Sequence, residues 1–167
     1  MANFCICVSL IILFSFDCNC ITVKQERAVV KYYNKEHIRY AQAFTGRSSR
    51  REPYKTNITA VILHPWNNNV TLKMIYKSKR MTNDFIISVR VCDALNLKWL
   101  SDFLSVYARY RLICPFPAGE YNLENIELPP KHLPVQLFTS EGQLEINFSL
   151  TKTKQIILVV TIQIQML

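Results

Sequence analysis

The sequence predicts an all-β protein of antiparallel strands, with one amphipathic helix between Cys92 and Cys114. Two observations predict it. Apolar and polar residues alternate strictly along several runs bounded by turn-forming residues, and a single segment changes its apolar period from two to nearly four.

The chain has 167 residues, a length that suits one domain able to bury most of its apolar surface. Its first twenty residues carry Asp17 as their one charged side chain, and 4–16 is an apolar run of 13 residues. That run is shorter than the ~20 residues a bilayer core demands. It reads as a secretory signal peptide over 1–20, cleaved after Cys20, with an uncleaved membrane anchor as the alternative.

Export simplifies the cysteines. Cys5, Cys7, Cys18 and Cys20 leave with the peptide, so Cys92 and Cys114 remain and are expected to form one disulfide. Such a bond closes a loop of about 23 residues, worth ~3 kcal/mol in the chain-entropy model. No zinc-ligand spacing competes for these thiols, and no metal or other cofactor is expected. Three sequons, at Asn57, Asn69 and Asn147, add to a reading as a secreted, extracellular glycoprotein.

The formal charge is +8 and it is uneven. Residues 23–55 hold nine Lys/Arg against three Glu, whereas 120–145 hold five Glu against Lys131. The basic segment reads as a solvated loop, or as a surface for anionic head groups or an acidic partner. Nucleic acid is not an expected partner, because no aromatic-basic binding motif accompanies the charge. The segment 21–57 is taken as a basic N-terminal part of mixed strand and loop, with no structure assigned over 34–56. The sandwich core is placed at 58–167.

Within that core, 59–65 and the strand from Val70 are expected to pair as a hairpin through "WNNN". Val70, Leu72, Met74 and Tyr76 share one face of the second strand. Phe85, Ile87, Val89 and Val91 share one face of the third, completing a meander. After Cys92 a helix capped by Asp93 is expected, with an apolar stripe of Trp99, Leu100, Phe103, Leu104, Val106, Tyr107 and Tyr110. Tyr121 and Leu123 mark a further strand, stopped by Pro129 and Pro130. In 143–150, Leu144, Ile146, Phe148 and Leu150 face inward, leaving Asn147 toward water. The tail from Ile156 is apolar on both faces, as in a buried strand.

The run from Pro65 through Cys92 to "CPFPAGEYNLENIELP" resembles a large insect family of secreted proteins described as a domain of unknown function. That family is similar to the MD-2-related lipid-recognition (ML) proteins, which include the ganglioside activator and mite group 2 allergens, and to insect chemosensory proteins of the B type. Cys92, Cys114, Pro115, Gly119 and Tyr121 carry most of the likeness, which covers about residues 58–165. The chain departs from the family in having no cysteine over 21–91 and none after Cys114. The resemblance implies an immunoglobulin-like antiparallel β-sandwich, ML-like, whose sheets splay to admit a lipid.

Enzymatic chemistry is not expected. The chain has no GxSxG, three scattered histidines (His37, His64, His132), and three glycines, too few for a phosphate-cradling loop. The expected function is therefore that of a secreted binding protein for a lipid or other hydrophobic small molecule, in extracellular transport or chemical communication. The alternative is an extracellular module that binds a receptor or another protein and has a packed core. For the carrier, inward periodicity nominates Trp99, Phe103, Phe116, Phe138, Leu144, Ile146 and Phe148 as ligand-binding residues.

Overall fold

The computed structural model describes residues 23–79, 84–128 and 141–166. The expected signal peptide and Phe138 lie outside these residues. Eight strands occupy them: β1 (Val23–Tyr33), β2 (Ile38–Gly46), β3 (Lys55–Ile62), β4 (Val70–Ser78), β5 (Phe85–Arg90), β6 (Gly119–Ile126), β7 (Gly142–Leu150) and β8 (Ile156–Met166). A single turn, α1 (Val91–Ala94), and a longer helix, α2 (Lys98–Tyr107), separate β5 from β6. Every strand pairing is antiparallel, in a five-stranded sheet of order β1-β8-β7-β4-β5 and a three-stranded sheet of order β2-β3-β6. The molecule is an all-β sandwich.

The core is made by the alternating inner faces. Ile58, Ala60 and Ile62 of β3 face Val70, Leu72 and Tyr76 of β4 together with Leu158, Val160 and Ile162 of β8, all buried. β8 is paired on both edges, to β1 and β7, and its first half, from Ile157 to Ile162, is buried except for half-buried Val159, whereas Gln163 is exposed.

One expected pairing is corrected. β3 does not form a hairpin with β4; it pairs with β2 and β6, and β4 pairs with β5 and β7. "WNNN" is a turn, closed by reciprocal bonds between the Asn67 and Asn69 side chains and each other's backbone N–H. It carries the chain from one sheet to the other instead of folding it back. Strands packed face to face show the same alternation as strands side by side, so periodicity alone does not separate the two.

Residues 38–46, left without assignment, form β2, which makes a hairpin with β3. A register shift between Ile38 and Tyr40 puts Ile38 and Ala41 both inside, three residues apart, which breaks the period of two that marks a strand. The boundary placed at residue 57 thus falls inside β3, and β1 and β2 belong to the two sheets.

The helix also differs. Asp93 lies within α1 and is not its cap; α2 begins after Leu97 with no side-chain cap. Leu100 is the one fully buried side chain of α2, and Val106 and Tyr110, expected on the apolar stripe, are exposed. α2 stops at Tyr107 because the chain turns extended at Ala108 and bridges to Leu123 of β6.

Candidate functional site: a cavity between the sheets

The two sheets do not close on each other at the end near β6. Ile58, Ala60 and Ile62 of β3 and Tyr121 and Leu123 of β6 line one side of a cavity of about 660 Å³. Ile146 and Phe148 of β7, with Leu158 and Val160 of β8, line the other. Strand periodicity builds these walls, since each set consists of alternate residues on one strand. The volume falls within the range typical of small-molecule sites.

The third wall is not a strand. After α2 the chain runs from Ala108 to Ala118 over the open end, and Leu104, Leu112, Pro115 and Phe116 face the space. Four attachments hold this connector. The Arg109 N–H donates to the Asn122 carbonyl at 3.0 Å, and Trp66 and Phe116 exchange backbone hydrogen bonds at 2.9 and 2.8 Å. Cys114 is disulfide-bonded to Cys92, with Cα atoms 5.5 Å apart. The Tyr121 hydroxyl donates to the Pro117 carbonyl at 2.8 Å.

Four aromatic rings border the cavity. The Trp66 ring lies 5.2 Å from that of Phe148, tilted by 39°, and Phe116 lies edge-on to Tyr121 at 6.0 Å. Burial pushes the Tyr121 phenol above its ordinary value, so the hydroxyl stays neutral and acts as a donor. The indole N–H of Trp66 is buried and has no hydrogen-bond partner. Charge is confined to the mouth, where exposed Arg111 and Glu120 border the opening. Tyr110 and Ile113, each 64% exposed, stand beside them.

The nominated residues divide. Phe116, Ile146 and Phe148 line the cavity together. Trp99, Phe103 and Leu144 are partly buried against the core but are not among its lining residues, and the Phe103 ring packs instead against that of Tyr107, 4.8 Å away and tilted by 55°. Trp66 was missed because it sits in a stretch dominated by turn residues. Its isolated large aromatic between Pro65 and three asparagines was the available signal.

The sequon asparagines occupy three environments. Asn69 is exposed. Asn57 is half-buried, and its Oδ1 accepts from the Asn125 N–H at 2.9 Å, holding Asn125 in a left-handed conformation with φ of 56°. Asn147 was expected to face water fully. It is half-buried on the outer face of the five-stranded sheet, its Nδ2 donating to Glu145 at 2.7 Å and its Oδ1 buried without a partner. The cause is its position on an interior strand, flanked by Lys73 of β4 and Val159 of β8.

Among the described residues no group of three metal-ligating side chains occurs, and no helix is long and apolar enough to cross a membrane. No protein-family model and no curated protein matches the chain.

Proposed function

We propose that this protein binds a lipid or another hydrophobic small molecule between its sheets and carries it in extracellular fluid. The single observation behind the reading is the cavity, whose walls are mostly apolar and whose charged lining residues, among those described, are the exposed Arg111 and Glu120. A packed sandwich of this size has no need of such a space, since interiors close to crystal-like density. Each methylene transferred into it contributes ~0.8 kcal/mol, so a chain of ordinary length gains enough for useful affinity. The likeness of the sequence to ML proteins points the same way. Extracellular action agrees with the Cys92–Cys114 disulfide, with the apolar leader and with the accessible sequon at Asn69.

The test is direct. The secreted protein is expected to take up a fluorescent fatty acid and to release a co-purified apolar molecule on extraction, identified by mass spectrometry. Failure of both would overturn the carrier reading.

A second reading has its own observation. Val106, Tyr110 and Ile113 are the three most exposed large apolar side chains among the described residues, and they lie within one eight-residue stretch beside Arg109 and Arg111. A protein-binding surface of that composition is the alternative, and it predicts a binding partner lost on mutating these residues while the cavity is untouched.

A further inference from the structure

We infer that Asn57 carries an N-linked glycan whose first N-acetylglucosamine packs its C–H face on the Phe44 ring, so that Phe44 is a built-in platform for the sugar. The inference goes beyond the carrier reading and rests only on its extracellular half. Asn57 on β3 and Phe44 on β2 are direct partners across the ladder. The next pair along, Thr45 and Thr56, turns inward and shares a hydrogen bond, so Phe44 and Asn57 both stand on the outer face. Phe44 is 51% exposed, and no other ring and no cation stacks on it among the described residues. Its flank is open, because β2 is an edge strand and a methyl group at Gly46, two residues on, would meet nothing within 4 Å.

The Asn57 amide is set for the attachment. Its Oδ1 accepts from the Asn125 N–H at 2.9 Å, which fixes the plane of the group. Its Nδ2, the atom that takes a glycan, makes no hydrogen bond among the described residues and is in contact with solvent. Thr59 completes the sequon from the same outer face of β3. Directly opposed side chains on one face of an antiparallel pair have Cβ atoms ~5 Å apart, within reach of a ring and of a sugar linked beside it. The C–H face of a pyranose is apolar and slightly positive, whereas the face of an aromatic ring is negative, so the two attract while water leaves both. The other two sequons lack an aromatic partner across a ladder: Asn147 lies opposite Lys73 and Val159, and Asn69 sits in a turn.

The experiment uses the full chain secreted from cultured eukaryotic cells, with its glycans trimmed enzymatically to a single N-acetylglucosamine. Peptide mass spectrometry is expected to find Asn57 occupied. In the unmutated protein, the proton resonances of that sugar are expected upfield of those in free N-acetylglucosaminyl-asparagine, shifted by the ring current of Phe44. They are expected to return in Phe44→Leu, which keeps an apolar side chain without a ring. Thr59→Val removes the sequon and leaves Asn57 and its bond to Asn125 in place. Phe44→Leu is expected to raise the unfolding equilibrium constant about 1.5- to 5-fold more in the glycosylated protein than in the Thr59→Val background, the range one cross-strand pair supplies. Secreted protein with Asn57 bare overturns the inference and leaves the carrier reading to its own test of probe uptake. An occupied Asn57 with unshifted sugar protons, or an equal cost of Phe44→Leu in both backgrounds, overturns it as well. If the chain is never secreted and no sequon is occupied, the extracellular half of the carrier reading and this inference fall together.

Discussion

The Thr56 hydroxyl on β3 donates a 2.6 Å hydrogen bond across the sandwich to the Gln25 side-chain oxygen on β1. Both residues are buried, and they belong to different sheets. The Gln25 amide nitrogen completes the link by donating to the Ile126 carbonyl at 3.0 Å, and Thr45 bonds Thr56 from the neighbouring strand at 2.9 Å. The two sheets are thus tied by a satisfied polar cluster at the end where β1 meets β3. Thr56→Val keeps the shape and strips the donor from Gln25, so unfolding in urea is expected to show a loss of about 1–3 kcal/mol. The double variant Thr56→Val with Gln25→Leu is expected to lose less than the sum of the two single changes.

Removing the disulfide tests a second tie. Cys92→Ser with Cys114→Ser is expected to cost ~3 kcal/mol in thermal or urea unfolding. Because Cys114 anchors the connector that walls the cavity, uptake of an apolar probe should fall even at temperatures where the variant remains folded. Unchanged uptake would show that the connector holds its place without the bond.

Phe148 and Ala60 face the same space from opposite sheets. Phe148→Glu places a carboxylate in the apolar wall and should abolish probe uptake, with folding confirmed by circular dichroism. Ala60→Leu is the sharper measurement. In a tightly packed core the added methylenes cost about 1–3 kcal/mol. Into a cavity they fit, so stability should hold or rise while probe affinity falls.

On the outer face of the five-stranded sheet, the hydrogen bond from Lys77 at 2.9 Å, joined by that from Asn147, holds the Glu145 carboxyl below its ordinary value of 4.5. A depressed carboxylate contributes stability that is complete above its unfolded value and is lost as pH falls through the folded one. The effect is modest because Lys77 is about half exposed. Unfolding midpoints of the wild type and Glu145→Gln, measured against urea, should differ at neutral pH and converge as pH falls through the lowered folded-state value.

Much of the architecture was legible because burial on one face imposes a period of two. Leu144, Ile146 and Phe148 were placed inside on that basis, and two of them line the cavity. The Cys92–Cys114 bond followed from arithmetic on six cysteines. Sheet membership was not legible, since β3 and β4 present one pattern whether they lie edge to edge or face to face. β2 was hidden by its bulge, with Tyr40 and Phe44 turned outward and alanines turned in. The cavity was only partly legible. Phe103 and Phe148 look alike as apolar residues at inward positions, and what separates them is where the sheets diverge, a property of the assembled layers.

The cavity's walls differ in how they can yield. Widening it through β3, β6, β7 or β8 means pulling apart ladders that hold on both flanks for all but the edge strand β6. The connector 108–118 has no ladder; it hangs from a few discrete fastenings to Asn122, Trp66 and Cys92. Entry and exit of a guest therefore call for the compliance of one short strap and leave the layered frame at rest. Adaptation to guests of different girth is then a matter of eleven residues, tunable by substitution without redesigning the sandwich.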